Sequence, residues 1–189
     1  MSQPLIKITA TTAAEVCANF ALEKEAQQLL RDGISPRDFV AALIENKRHV
    51  DAIDFLAHAL PVREGIWWGC LCMQHSMGDN KPPPDKAAAT AAVEWLMRPS
   101  EENRAAAKAL ALTADPVSPA GALAMAVSLT GGSIYPPELP FKAPPPFASE
   151  KAVARAVKLA SIKCAPAKIA KTQRSYVELA IQVAEGRLI

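Results

Sequence analysis

The stretch "LPVREGIWWGCLCMQH", residues 60–75, decides the fold because it predicts a helix that other helices enclose. Residues 66–73 are apolar on every side of a helix, which is typical of a helix in a protein interior. Gly65 and Gly69, four residues apart, leave a shallow groove where a second helix can approach closely. Adjacent tryptophans point about 100° apart on a helix, so they cannot line one pocket together. We predict that the structural core contains Trp67, Trp68, Leu71 and Trp95.

The composition favours helices over strands. Half of the 189 residues are hydrophobic, only 5% are aromatic, and alanine is abundant. Alanine has the highest helix propensity, and few runs alternate with the period of two that a half-buried strand requires. We predict an all-α fold of about ten short helices, packed as stacked helical hairpins in a single domain over residues 1–189.

Serine, threonine, proline and glycine mark the helix boundaries. "SPRD" at residues 35–38 places serine at the N-cap, proline at the first helical position and an acid in the first turn. We predict a helix over residues 22–31 that Gly33 ends, and a stiff connector at residues 81–86. The further predicted helix caps are Thr12, Ser100, Ser118 and Ser149.

Residues 133–147, "SIYPPELPFKAPPPF", break the helical pattern. Six prolines exclude a helix here and predict an extended, polyproline-like strap before the last two helices. A connection of this length without regular structure is often functional. The segment "PPELP" (136–140) also has the spacing that proline-binding grooves recognise, so a strap laid across the helices and a binding motif are both open.

The core helix also carries two cysteines and a histidine, which raises the question of a chemical site. Cys70 and Cys72 point about 200° apart on a helix, so they cannot bind one metal ion together. The chain has no C-x₂₋₄-C or H-x₃₋₅-H pair of the kind that zinc sites use. We predict no catalytic residue, no metal and no cofactor. The pair of Cys72 and His75 leaves a thiol- or metal-dependent enzyme as an alternative.

Charge is unevenly distributed along the chain. Residues 150–189 hold eight Lys and Arg but three Asp and Glu, whereas the whole chain has a net charge of +2. Lys151, Arg155 and Lys158 share one face of a predicted helix, which is either a solvated surface or a basic patch for an acidic partner. Nucleic-acid binding usually adds stacking aromatics, and Tyr176 is the only aromatic residue here. Nucleic acid is therefore not the expected partner.

The first residues, "MSQPLIKITATT", lack the charged segment and apolar core of a secretory signal. No apolar run reaches the roughly 20 residues that span a bilayer. The four cysteines are too sparse for a secreted disulfide framework. We expect a reduced, cytoplasmic protein with no membrane partner.

Three separated blocks of the sequence resemble one known family. "ALPVREGIWWGCL" (59–71) resembles the L-P-x-R-E-x-x-W-W signature of an uncharacterised bacterial family of helical domains of unknown function. "AVEWLMRPSEENRAAAKAL" (92–110) is similar to its Trp-x₃-Pro-Ser-Glu-Glu-Asn-Arg block. "SPAGALAMAVSLTGGSIYPPELP…PPP" (118–146) is similar to its Ser-Pro-Ala-Gly and Gly-Gly-Ser block with the proline strap. Gly65, where the family more often has alanine, departs from the pattern.

This resemblance implies a non-enzymatic protein. The family has no established enzymatic activity, its members occur beside genes of contractile secretion machinery, and one branch resembles accessory chaperones of type VI secretion effectors. Such a chaperone works with a larger adaptor chaperone that loads a toxin onto the spike. We expect an accessory chaperone or adaptor whose partner is an effector, an adaptor chaperone or both. The alternative is a regulatory module that binds nucleic acid or an acidic protein through the basic C-terminal helices.

The expected contact residues are arginine and large apolar side chains, which dominate protein interfaces. Arg63 lies in the first turn of the predicted core helix, where it binds a carboxylate of the protein itself or of a partner. The aromatic residues of the strap are further anchors, and the basic face would steer an acidic partner. The predicted partner-binding residues are Arg63, Tyr135, Phe141, Phe147, Lys151, Arg155 and Lys158.

Overall fold

A computed structural model describes residues 3–78, 82–115, 117–136 and 138–188 of the chain. Within these residues the protein is all-helical without a β-strand, which confirms the predicted fold class. None of the helices in the described ranges is long and apolar enough to cross a membrane. A 3₁₀ turn at Pro166–Lys168 precedes the last helix. The α-helices are α1 (Ala13–Cys17), α2 (Lys24–Gln27), α3 (Pro36–Glu45), α4 (His49–Ala59), α5 (Val62–Met77), α6 (Pro83–Met97), α7 (Glu101–Thr113), α8 (Pro119–Ser128), α9 (Ala148–Ser161) and α10 (Ile169–Ala184).

Serine side chains cap three helices as the sequence predicts. Ser35 accepts a hydrogen bond from the backbone N–H three residues later at 3.1 Å. Ser100 and Ser118 do the same at 3.2 Å and 2.9 Å. Each bond satisfies one of the backbone donors that a helix leaves free at its N-terminus, so these starts are determined locally.

Two of the predicted caps make other contacts. The hydroxyl of Thr12 donates to the carboxylate of Glu15 (2.9 Å) instead of accepting from the backbone of α1. Ser149 lies inside α9, and its Oγ donates to the backbone carbonyl of Ala126 in α8 (2.8 Å). Phe147 takes the position before α9, with a left-handed backbone (φ 57°). Ser149 therefore joins two helices, which the sequence around one helix does not reveal.

Two predicted boundaries are also corrected. The helix predicted over residues 22–31 shortens to the four residues of α2, because the chain after it forms tighter turns and Gly33 then adopts φ +70°. The connector predicted at residues 81–86 contains the start of α6. Pro83 opens that helix, where a missing N–H removes no hydrogen bond. Residue 81 lies outside the described residues.

The helix α8 is the most enclosed part of the fold. All of its residues except Met125 are buried, and it packs against α5, α6, α7 and α9. Gly69 of α5 makes this approach possible, because a Cβ at that position would lie 2.5 Å from Cδ1 of Leu123 in α8. Gly65 faces Val153 of α9, where an added Cβ would find an ordinary contact of 3.9 Å. The two glycines of α5 thus lie against two different helices, Gly69 against α8 and Gly65 against α9.

The other helices are arranged around this centre. The helix α9 packs against α4, α5 and α8, so it links the two halves of the chain. On one side, α4 packs against α1, α3 and α10. On the other side, α6 and α7 pack against each other and cover α8. The α6–α7 pair therefore has an outward surface, and the chain that follows α8 emerges beside α7.

The predicted core residues all contact the core, but to different depths. Trp68 is fully buried, and its indole N–H donates to the backbone carbonyl of Tyr176 (2.8 Å), which ties α5 to α10. Trp95 is also buried. Trp67 and Leu71 are half-buried and pack against the edge of the core. The side of the helix on which each tryptophan lies therefore decides how deeply it is buried.

Replacing Trp68 with alanine should lower the free energy of unfolding by about 3–5 kcal/mol, because it removes a fully buried ring and its hydrogen bond. Replacing the half-buried Trp67 with alanine should cost about 1–2 kcal/mol. Urea unfolding followed by circular dichroism measures both values. Equal losses in the two variants would contradict this ranking by burial.

Candidate protein-binding loop

A buried arginine holds the chain where it leaves α8. Arg104 of α7 donates to the carbonyl of Ser128 at the end of α8 (2.7 Å) and forms an ion pair with Glu101. The hydrogen bonds that Arg104 donates to the carboxylate of Glu101 raise the pKa of its guanidinium, so its charge is retained. Gly132 then passes directly over this guanidinium with φ +67°, and a Cβ there would overlap it. The turn after α8 therefore requires glycine.

Hydrogen bonds close the next segment into a loop. The ammonium group of Lys108 donates to the carbonyls of Ser133 (3.1 Å) and Ile134 (3.0 Å). The N–H of Ile134 donates to the carbonyl of Lys142 (2.8 Å), and the N–H of Lys142 donates to Oγ of Ser133 (3.2 Å). We call residues 133–142 the strap loop. Its two ends lie side by side, as in the compact surface loops that often carry function.

Aromatic side chains project from the strap loop into solvent. Tyr135 is 40% exposed and Phe141 is 73% exposed. They adjoin the paired residues Ile134 and Lys142, so both rings start from the base of the loop. The Lys142 ammonium lies 5.4 Å from the centroid of the Tyr135 ring, a cation–π distance. Leu139 adds a third exposed apolar side chain.

The strap is non-helical in its described residues, as predicted, but it is not extended throughout. The N–H of Leu139 donates to the carbonyl of Pro136 (3.1 Å), which forms a turn inside "PPELP". Residue 137 of this motif lies outside the described residues. The bonds between the loop ends draw the chain together, so only the part after residue 142 runs on towards α9. It follows a groove of about 220 Å³ lined by residues that include Val62, Leu129, Pro144, Pro145 and Phe147.

Phe147 belongs to a different cluster from the strap-loop aromatics. Its ring centroid lies 6.1 Å from that of His58, whose imidazole stacks on Phe20 at 4.5 Å. The Nδ1–H of His58 donates to the carbonyl of Asp54 (2.7 Å). Among the described residues, its buried Nε2 has no hydrogen-bond partner. Phe147 thus packs the start of α9 against α4, while 36% of its surface stays exposed.

The predicted basic face is partly used inside the protein. Lys158 forms an ion pair with Asp54 of α4 (2.7 Å) and is half-buried. Lys151 and Arg155 are exposed on the same helix. The charge of Lys158 therefore serves the packing of α9 on α4.

Arg63 also has a structural contact. It donates to the backbone carbonyl of Leu96 near the end of α6 (2.8 Å), where a helix leaves carbonyls without partners. Its neighbour Glu64 forms an ion pair with Lys7 (3.3 Å). Of the predicted partner-binding residues, the structure brings together Tyr135 and Phe141 and places the others elsewhere.

The thiols of α5 are held in the protonated form. Burial raises the pKa of Cys70 to about 12 and that of Cys72 well above its usual range. His75 is exposed, and its Nδ1 lies 3.4 Å from the hydroxyl of Tyr176. Thiolates are the reactive form of cysteine, so this environment suppresses thiol chemistry at neutral pH. Across the described ranges, no three His, Cys, Asp or Glu side chains are grouped so that they could hold a metal ion.

The residues that hold the strap loop were not predicted from the sequence. Arg104 had one local signal, its spacing of three residues from Glu101 on a helix. Lys108 had none, because its acceptors lie 25 and 26 residues further along the chain. Leu139 had only its position as an apolar residue among prolines.

Replacing Gly132 with alanine should lower the free energy of unfolding by about 1–3 kcal/mol, because the new Cβ overlaps Arg104 and the left-handed backbone disfavours alanine. The matched control is Gly131→Ala, since a Cβ at Gly131 meets nothing within 4 Å. That control should change stability by no more than about 0.5 kcal/mol. Urea unfolding measures both. A loss at Gly131 as large as that at Gly132 would contradict the role of the Arg104 contact.

Stability should also fall in mild acid. Burial lowers the pKa of His58, although its hydrogen bond to Asp54 partly offsets this effect, and burial likewise lowers the pKa of His49. The folded state then binds protons less readily than the unfolded state, so the free energy of unfolding should fall as the pH drops below about 6.5. Urea unfolding between about pH 7.5 and pH 5.5 measures the slope. The variant His58→Phe should make the free energy of unfolding depend less on pH. An unchanged pH dependence would contradict a contribution from His58.

Comparison with known proteins gives one match. No curated protein and no solved structure matches the chain. The sequence profile of one protein family, described as a family of unknown function (DUF6931), matches residues 39–184. This span covers most of the chain, from α3 to the last residue of α10, and includes the strap loop. The chain therefore belongs to DUF6931, a family of unknown function, which confirms the prediction of an uncharacterised domain family.

Proposed function

We propose that the protein is a non-enzymatic binding domain that contacts a partner protein through the strap loop. The observation that carries this proposal is the exposure of Tyr135 and Phe141 on a loop with a fixed base. Large aromatic side chains in water are the anchors that contribute most to protein interfaces. A partner that covers both rings would remove them from water at one contact point.

The base of the strap loop is ordered before any partner arrives. Lys108 and the paired backbone of Ile134 and Lys142 hold its two ends, and Arg104 holds the turn before it. A preordered loop loses less conformational entropy on binding than a flexible one. The ammonium of Lys142, next to the Tyr135 ring, adds a positive charge at the edge of the contact. A partner with an apolar pocket and an acidic rim would suit this surface.

We infer further that the partner is a type VI secretion effector or the larger adaptor chaperone that loads it. Three sequence blocks resemble a family of which one branch resembles accessory chaperones, and this supports the identity; most of the strap loop lies in the third block. In this role the protein would act in the cytoplasm, before secretion. It would stabilise a complex by adding binding surface and would catalyse no reaction.

The basic face of α9 supports the alternative, a module that binds nucleic acid or an acidic protein. Lys151 and Arg155 are exposed there, but Lys158 already pairs with Asp54 at 2.7 Å. Binding to DNA through such a face would weaken steeply as salt is added. The strap loop is the better candidate because its exposed side chains are aromatic and its backbone is fixed.

Replacing Tyr135 and Phe141 together with serine should weaken partner binding by about tenfold to a hundredfold, because both interface anchors are lost. The measurement is the affinity of the purified full chain for the effector and adaptor chaperone encoded beside it, after co-expression identifies the complex. Both side chains are exposed, so the variant should melt at the temperature of the unaltered protein.

Val50→Ser provides a matched control, since Val50 is 42% exposed on α4, on the other side of the fold from α7. That variant should bind normally. If neither the effector nor the adaptor forms a complex with the unaltered chain, the accessory-chaperone assignment is wrong. If the complex tolerates the loop variant but is lost with Lys151→Ala and Arg155→Ala, the contact lies on the basic face.

A further inference from the structure

One face of α6 points into solvent and follows a regular helical spacing. Pro83, Lys86, Thr90, Val93 and Met97 lie at intervals of three and four residues, and all are exposed. Val93 is 42% exposed, Met97 is 80% exposed and Glu94 is exposed beside them, whereas the buried residues of the helix pack against α5, α7 and α8. This spacing places the five side chains in one stripe along the helix.

A groove of about 390 Å³ lies beside the first part of this stripe, at Pro83, Lys86 and Thr90, and extends to α7. Ala87 and Ala91 form part of its lining on α6, and Leu110 of α7 forms its other side. Small side chains on α6 allow the backbone of another helix to come close.

The two charged residues of this face lie symmetrically about Thr90. Lys86 precedes Thr90 by four residues and Glu94 follows it by four. They are about 12 Å apart along the helix axis, so they do not pair with each other. Neither side chain forms an ion pair with any residue that the structure describes.

The order of these charges opposes the helix dipole. Lys86 lies towards the N-terminal end of α6, and Glu94 lies towards its C-terminal end. A helix favours acidic side chains near its N-terminus and basic side chains near its C-terminus. The stability of α6 by itself therefore does not account for this arrangement, whereas an opposite charge from outside the chain would.

A second copy of α6 supplies those charges. When two copies lie antiparallel about a two-fold axis near Thr90, Lys86 of each is level with Glu94 of the other. Both Lys–Glu pairs form at once, because a two-fold axis repeats every contact. A parallel arrangement would bring Lys86 next to Lys86, which like charges disfavour.

The apolar side chains fit the same antiparallel register. Val93 of one copy is level with Ala87 of the other, since these residues lie three positions on either side of Thr90. Met97 is level with Pro83 for the same reason, at seven positions. Each of the most exposed apolar side chains of α6 therefore meets a smaller residue beside the groove. In this antiparallel register, both the sizes and the charges of the side chains on one copy of α6 complement those on the other copy.

We propose that two copies of this chain associate through α6, antiparallel, about a two-fold axis near Thr90. The contact involves one helix of 15 residues and the neighbouring edge of α7. This is a small interface, and small interfaces give weak, concentration-dependent association. The dimer is therefore in equilibrium with the monomer at micromolar concentrations of the chain.

Sedimentation velocity of the full chain across the micromolar range should show this equilibrium. Glu94→Lys should raise the dimer dissociation constant by about tenfold to a hundredfold, because two symmetric Lys–Glu contacts become Lys–Lys contacts. Lys86→Glu should have an effect of similar size. The combined variant Lys86→Glu/Glu94→Lys exchanges the partners and should restore association to within about threefold of the unaltered chain.

Both charge reversals follow the preference of the helix dipole, so neither should unfold α6, and circular dichroism checks this. Glu45→Lys is the matched control, because Glu45 is exposed on α3 and carries the same charge change away from α6. It should leave the dissociation constant unchanged. A chain that stays monomeric at the highest concentration overturns the proposal. So does a dimer that the single reversals do not weaken, or that the combined variant does not restore.

Discussion

The close contact between α5 and α8 at Gly69 is the constraint on which the rest of the structure depends. With a side chain at this position, Leu123 would have to move, since an added Cβ would lie 2.5 Å from its Cδ1. Because Gly69 has no side chain, α8 packs so closely against α5 that nearly every residue of α8 is buried. Close-packed interiors tolerate little change in volume, so this depth also fixes the helices α7 and α9 that lie against α8.

Polar contacts carry this constraint from the core to the surface. Arg104 binds the end of α8 and lies under Gly132, and Lys108 holds the first carbonyls of the strap loop. Buried polar groups are stable when each has a partner, so these bonds fix the backbone at the base of the loop. The aromatic rings beyond it remain exposed, Tyr135 to 40% and Phe141 to 73%. A fixed backbone beneath exposed aromatic side chains is an arrangement that suits a binding surface.

Features that depend on neighbouring residues could be predicted from the sequence, and features that depend on distant helices could not. The caps at Ser35, Ser100 and Ser118 need contacts over three residues, and the helical fold follows from alanine content and proline positions. Trp67 and Trp68 have the same local context, and only the helices around α5 decide which is enclosed. The strap could be located by its prolines. Its closure could not be predicted, because it depends on tertiary hydrogen bonds such as those from Lys108.

The helix α7 separates the two proposed contact surfaces. Lys108, which holds the strap loop, and Leu110, which lines the groove beside α6, are two residues apart and point about 200° apart on the helix. A partner on the strap loop and a second copy on α6 would therefore approach α7 from different sides and would not compete.

A two-fold pair would present two strap loops on one assembly. Two linked sites bind a partner that offers two matching surfaces more tightly than one site does, because the second contact forms at a high effective concentration. Pairing through α6 would thus strengthen partner binding without changing the contact that each strap loop makes.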